Sequence, residues 1–252
     1  MTLEKSHFTS FDGTRLAIHR AGKGPPVILL HGLFSSSDMN WIKWGHAQRL
    51  ADAGFEAIML DFRVHGDSDS PTDPASYPRD VLIRDAIAMV DHLGLEEYDL
   101  GGFSLGARTS LHCVANQLLS PRRLVVAGMG LAGLSEWSKR SAFFKRVIDE
   151  FDTIKPGDPE YYSRQFLKSQ GVDRVAARLL LDTMTDLDPA KLSNITMPTL
   201  VVCGDADDDN GSAQELVEHL PNATYVETPG GHLASATKAE MGEAIVNFLT
   251  TA

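Results

Sequence analysis

The chain has 252 residues, 43% hydrophobic and 23% charged, which suits one α/β domain with an insertion or two small domains. Its formal net charge of −11 sets it against nucleic acid and anionic membrane surfaces, both of which would repel it. No apolar run reaches membrane-spanning length, and residues 1–7 show no signal-peptide pattern. Two cysteines are too few for a disulfide framework. The expectation is a cytoplasmic protein, with Cys113 and Cys203 as small reduced core residues.

Asp12-Gly13 predicts a hairpin turn, with Leu16-Ala17-Ile18-His19 as the returning strand. Val27-Ile28-Leu29-Leu30 is a short unbroken apolar run of the buried parallel type. A helix over 41–53 and a strand over 55–60 follow. Val81, Ile83, Ile87, Met89 and Val90 recur near a 3.6-residue period and predict a helix over 78–93. Residues 98–101 read as a strand, 107–115 as a helix and 123–127 as another strand. Strands over 199–203 and 223–227 come later, and a helix over 241–249 closes the chain. Strands alternating with helices predict a mostly parallel sheet covered on both faces.

Residues 133–197 interrupt this alternation with helical patterns, no strand, and aromatics such as Trp137, Phe143, Phe144 and Phe166. The stretch reads as a small helical cap inserted at the carboxyl edge of a core formed by 1–132 and 198–252. The other reading is a set of packing helices that belong to the main domain.

Gly102-Phe103-Ser104-Leu105-Gly106 spells G-x-S-x-G between a strand and a helix. That context makes the short match a candidate nucleophile elbow, with Ser104 on a strained turn. Glycine on both sides lacks the Cβ that would collide there. In open α/β sheets, reacting groups gather at the carboxyl ends of strands. Those ends supply His31-Gly32-Leu33-Phe34, then Ser104, then Gly204-Asp205-Ala206-Asp207, then Pro229-Gly230-Gly231-His232. Serine, aspartate and histidine occur in the order expected of a triad on this kind of sheet.

His232 is the candidate base by position, since the chain has nine histidines and most must be structural. Asp207 is the first choice for the acid and Asp205 the second. The backbone N–H groups of Leu33 and Leu105 are the candidate oxyanion donors, with His31 shaping the first loop. Asp205, Asp207 and Asp209 also sketch a calcium loop, but Asn210 and Leu216 replace its glycine and glutamate, so no metal is expected. Gly128-Met129-Gly130-Leu131-Ala132-Gly133 matches a dinucleotide fingerprint in outline. It lacks the following strand and acidic residue, so no cofactor is expected and the glycines only let the chain leave the sheet.

Together these segments, with Asp61-Phe62-Arg63-Val64-His65-Gly66-Asp67-Ser68, resemble the α/β-hydrolase superfamily across nearly the whole chain. The resemblance implies an α/β-hydrolase fold: a mostly parallel eight-stranded sheet with helices on both faces and a small helical cap. It also implies Asp207 as the triad acid, three residues after Gly204. Two positions depart from the family pattern. Val64 replaces a usual glycine, which would reshape its loop, and no proline follows the acid turn. Serine at 104 disfavours the similar dehalogenases and epoxide hydrolases, which carry aspartate there.

The expected function is a serine hydrolase that cleaves carboxylic esters of small to medium acyl chain through an acyl-enzyme. A small-molecule ester is the expected partner, without nucleic acid, membrane, cofactor or metal. A carbon–carbon bond or lactone hydrolase would use the same triad. A ligand-binding protein on a hydrolase scaffold is the alternative of another class. Self-association is left open by the sequence.

Overall fold

The computed structural model describes residues 2–251. Its strands are β1 (Leu3–Thr9), β2 (Arg15–Gly22), β3 (Pro26–Leu30), β4 (Glu56–Leu60), β5 (Asp99–Phe103), β6 (Leu124–Ala127), β7 (Thr199–Gly204) and β8 (Ala223–Thr228). They form one sheet in the order β1-β2-β4-β3-β5-β6-β7-β8. Only β2 runs against its neighbours; every pair from β4 to β8 is parallel. Parallel pairing puts the carboxyl ends of β3 to β8 along one rim. The strand order reverses between β3 and β5, where a crevice opens outside the strand ends.

Alternation of apolar residues decides which side faces which helix. Ile28, Leu30, Ile58 and Leu60 point to one face, while Val27, Leu29, Ala57 and Met59 point to the other, and all eight are fully buried. The second face is covered by α1 (His46–Asp52) and α10 (Ala239–Thr251) through Leu50, Met241, Ile245 and Leu249. The first is covered by α2 (Val81–Leu93) and α3 (Leu105–Ala115).

Residues 132–194 hold α4 (Ala132–Ser135), α5 (Trp137–Asp149), α6 (Tyr161–Ser169), α7 (Arg174–Leu181) and a 3-10 turn, Pro189–Asn194. No strand occurs among them. Their buried Leu134, Trp137, Val147, Leu167 and Leu180 continue the apolar cluster under α2 and α3. Two short helices complete the fold, α8 (Ala213–Glu218) and α9 (His232–Ser235). No helix of the described residues is long and apolar enough to cross a membrane.

Two helices depart from the sequence reading. Trp41 lies in a separate π turn, Asp38–Ile42, because Gly45 at φ 79° breaks the chain before α1. The helix expected from residue 78 starts at Val81. Asp80 before it is left-handed (φ 58°), held by its N–H to Thr183 O at 2.8 Å.

Candidate active site

Ser104 joins β5 to α3 at φ 52° and ψ −110°, outside the regions that non-glycine residues occupy freely. Such a conformation costs on the order of 1–3 kcal/mol and persists only when its surroundings impose it. Here they do. The Ser104 N–H donates to Ala127 O at 2.9 Å, and its carbonyl accepts from the Arg108 N–H at 2.9 Å. A Cβ at Gly102 would overlap the backbone of Gly106 and Ala107, and one at Gly106 would overlap Leu30 O on the adjacent strand. The tight turn therefore requires glycine on both sides, and the half-buried Ser104 hydroxyl stands above the rim.

His232 follows β8 through Pro229-Gly230-Gly231 and opens α9. Its Nε2 lies 2.9 Å from Ser104 Oγ, and its Nδ1 lies 2.9 and 3.0 Å from the two oxygens of Asp207. With Nδ1–H donating to Asp207, Nε2 is left to accept from the serine hydroxyl. The Phe103 ring packs beside the imidazole, 4.9 Å between centroids.

The buried Asp207 carboxylate accepts two further hydrogen bonds, from the Asp209 N–H at 3.3 Å and the Cys203 thiol at 3.4 Å. Burial alone would raise its pKa. The bond and charge of His232, with these two donors, outweigh burial and hold Asp207 below the ordinary carboxylate range. Burial, with that same carboxylate, pushes the Cys203 thiol up to about 12. Asp205 is used differently. Its Oδ1 accepts the Gly230 N–H at 2.8 Å, tying down the loop that carries His232.

The loop after β3 is held from behind by three side chains. Asn40 Oδ1 takes the Gly32 N–H at 2.9 Å, and His65 Nε2 takes the Phe34 N–H at 3.0 Å. His31 Nε2 takes the Phe62 N–H at 3.0 Å while Nδ1 donates to Gly32 O at 2.7 Å. Both histidines must be neutral to accept in this way. Burial depresses both, and with the help of His31 brings His65 down to about 3. Phe34 is left-handed at φ 58°. With its neighbours occupied, the Leu33 N–H has no acceptor among the described residues. The Leu105 N–H sits in the first turn of α3, where no intrahelical acceptor exists.

The turn after β4 is pinned by Asp61, which accepts from Ser37 N–H, Asp67 N–H and His19 Nε2 at 2.7 to 2.9 Å. His19, Asp61 and Asp67 bring ligand-type atoms within 4.8 Å of one another. These bonds and the Lys5–Asp67 pair at 3.0 Å already occupy them, so the group is a tether. Val64 holds φ 78°, in the left-handed range that glycine adopts freely, at a cost of roughly 1–2 kcal/mol for a residue with a Cβ. The glycines of 128–133 do more than release the chain from the sheet. A Cβ at Gly130 would overlap Gly211 O, and Asn210 bonds Gly128 O and the Gly133 N–H at 2.8 Å. They seat the turn that carries Asp207.

Beside Ser104 and His232 opens a cavity of about 320 Å³, walled by Phe34, Met39, Phe103, Phe144 and Phe166. Sequence reasoning missed Asn40, the thiol of Cys203 and the task of Asp205. His65 lay within a quoted motif, and only its geometry reveals its work. The whole arrangement is a polarised hydroxyl, an oriented imidazole and a buried carboxylate beside two unengaged N–H groups, open to an apolar cavity. It can activate an alcohol for attack on a polarised carbon.

Comparison with known proteins bears on the fold and the family. Epoxide hydrolase 3 of Siraitia grosvenorii is 37% identical over 97 residues, 38% of this chain and 29% of that protein. A 2-hydroxymuconate semialdehyde hydrolase of Pseudomonas sp. (strain CF600) is 32% identical over 150 residues, 55% of this chain and 52% of its own. The chain thus spans about a third of the length of the Siraitia grosvenorii epoxide hydrolases it matches and about half of the second relative. Among solved structures, an esterase from Exiguobacterium antarcticum superposes with a TM-score of 0.79, covering 98% of this chain and 99% of that one at 20% identity, a likeness of fold. The family model described as alpha/beta hydrolase fold matches residues 25–168. With its eight-stranded sheet and strand-end serine, the chain belongs to the alpha/beta hydrolase fold family.

Proposed function

We propose that the protein is a serine hydrolase that cleaves carboxylic esters of small to medium acyl chain through an acyl-enzyme. One observation carries the reading: a continuous hydrogen-bonded run from Ser104 Oγ through His232 to Asp207, each link 2.9 Å. In the first half-reaction Oγ attacks the ester carbonyl carbon as its proton passes to His232 Nε2. The oxyanion is held by the N–H groups of Leu33 and Leu105, each worth about 3 kcal/mol in the transition state. Collapse expels the alcohol, which takes the proton from Nε2. Water then attacks the acyl-serine, giving its proton to the same nitrogen, and Ser104 leaves as the free hydroxyl. Asp207 holds the Nδ1–H tautomer throughout and stabilises the imidazolium.

Serine at 104 bears on the choice between ester and epoxide chemistry. A carboxylate that opens an epoxide becomes an ester, which water can cleave. A serine that did so would be left as an ether, which imidazole-activated water does not cleave. The acyl-serine formed from an ester regenerates the enzyme. The apolar cavity of about 320 Å³ lies at the small end of ligand sites, which supports a short substrate. Residues 133–197 serve in this reading as a cap over the cavity. The two free, buried thiols fit a reducing cytoplasm.

Ser104→Ala is expected to lower p-nitrophenyl butyrate turnover by at least about 10⁴-fold, and a fluorophosphonate probe is expected to label Ser104. Full activity in the alanine variant would end this reading. Carbon–carbon bond and lactone hydrolysis would use the same three side chains. The 32% identity over 150 residues to the hydroxymuconate semialdehyde hydrolase makes a β-diketone and a lactone the natural comparison substrates.

A further inference from the structure

Helix α5 carries four cations, and three have found carboxylates. Lys139 pairs with Glu136 at 2.8 Å, Lys145 with Asp182 at 2.6 Å and Arg146 with Glu160 at 2.5 Å. The fourth, Arg140, has no side-chain hydrogen bond or ion pair among the described residues, and it is the one that faces the cavity. Trp137, Arg140 and Phe144 fall on one face of the helix at spacings of three and four. The guanidinium lies 5.7 Å from the centre of the Phe144 ring.

Arg140 is half-buried, and burial pulls its pKa down against the opposing charges of Asp209 and Asp207. Neither carboxylate comes within ion-pair distance, and Asp207 is already engaged by His232. A guanidinium has five donors and no acceptor, so shielding it from water without a partner is unfavourable. Set among Phe34, Phe144 and Phe166 on the cavity wall, such a group gains little unless an anion arrives with the ligand.

The position also says which part of a substrate would carry that anion. Arg140 borders a recess of about 20 Å³ with Leu33, Ser104, Leu105 and Trp137, and His232 takes no part in that recess. The leaving alcohol must depart on the His232 side, because Nε2 returns the proton to it. The recess has room for about one water, so it marks only the side of Ser104 on which Arg140 stands, the acyl side; the acyl chain itself would lie in the larger cavity that Arg140 also lines.

Resting on the ester reading above, we propose that Arg140 is a substrate-binding residue that receives a carboxylate at the far end of the acyl chain, so that the preferred substrates are half-esters of short dicarboxylic acids. A planar guanidinium can hold a carboxylate through two parallel hydrogen bonds. The net charge of −11 would otherwise disfavour anionic substrates, so selection for one must come from a local cation; the cavity's other cation, Lys43, is exposed and sits over the Trp44 ring, 5.1 Å from its centre.

The test compares mono-p-nitrophenyl glutarate with p-nitrophenyl pentanoate, which share a leaving group and differ in the terminal carboxylate. The wild-type protein is expected to favour the glutarate in kcat/KM. Arg140→Gln is expected to lower the glutarate-to-pentanoate ratio by about 10- to 100-fold, through KM more than kcat, and Arg140→Lys to restore part of it. Lys139→Gln, which removes an exposed and already paired cation, should leave the ratio where it was. In parallel, Ser104→Ala protein is titrated with glutarate by calorimetry, and saturable binding is expected that disappears when Arg140→Gln is added. Turnover of both esters without preference, with no glutarate binding, overturns the anion site and leaves the ester reading standing. Glutarate binding that depends on Arg140, with neither ester hydrolysed, does the reverse.

Discussion

The two walls of the cavity are built by opposite means. On the sheet rim, what matters is backbone, and almost every group in it is tied: Gly32 to Asn40, Phe34 to His65, Gly230 to Asp205 and Ser104 to Ala127. On the wall made by α5 and α6, what matters is side chains, Arg140, Phe144 and Phe166; the other three cations of α5 are spent on ion pairs at its surface. A rim of that kind can hold reacting atoms to within a few tenths of an ångström. A helix face can change one side chain for another without moving the rest. Under the proposed ester chemistry, bond-making would fall to the rim and selection among substrates to the helices.

The largest effect should come from breaking the rim at its acid. Asp207→Asn should lower kcat by about 10⁴-fold, because an amide cannot hold the Nδ1–H tautomer or stabilise the imidazolium. Asp205→Asn keeps an oxygen for the Gly230 N–H, so its kcat should fall no more than about 10-fold. Steady-state kinetics on p-nitrophenyl butyrate decide this, and the opposite ranking would mean that Asp205 is the acid. A smaller effect sharpens the picture of redundancy on the rim. Cys203→Ala removes one of the donors to Asp207 and should cost about 3- to 10-fold in kcat with KM nearly unchanged. Cys203→Ser, which restores a donor, should recover most of the loss. If alanine and serine behave alike, the thiol is packing and nothing more.

The legible and illegible parts of the sequence divide along the same line. The strands could be read because apolar residues alternate in them or run unbroken, and the elbow because its strain demands glycine at 102 and 106. The order serine, aspartate, histidine followed from the strand ends. Asn40 could not be read, since its bond to Gly32 depends on how the π turn after β3 folds back, and no local pattern encodes that return. The choice between Asp205 and Asp207 stayed open on chemistry because both are carboxylates two residues apart on one turn; only their partners, Gly230 and His232, separate them. The glycines of 128–133 looked like an exit from the sheet because their reason, the backbone at 210–211, lies about 80 residues further along. Arg140 was one cation among four on a helix, and only the cavity tells it from the others.

A buried polar group without a partner lies on α3, about two turns beyond Ser104 and outside the cavity lining. His112 on α3 packs at the edge of the helices that follow β6, 5% exposed, beside Thr183 and Thr185, and its Nε2 has no hydrogen-bond partner. Burial, reinforced by the charges of Arg108 and Lys191, lowers its pKa to about 3, against about 6.5 in the unfolded chain. Between those values the unfolded state binds the proton and the folded state does not, so stability rises with pH across the window. The stability that comes from keeping this imidazole neutral is fully present above about 6.5 and is lost progressively as the pH falls toward 3. His65 titrates over the same range, on the tightly bonded side. His112→Leu replaces the orphan nitrogen with carbon of similar bulk, and at pH 7 its urea midpoint should correspond to a stability within about 1 kcal/mol of wild type. At pH 4.5 the variant should be the more stable protein by on the order of 2 kcal/mol, because His65 still titrates in both. Equal pH slopes for variant and wild type would mean that water already reaches this imidazole and that this part of α3 is as well satisfied as the rim.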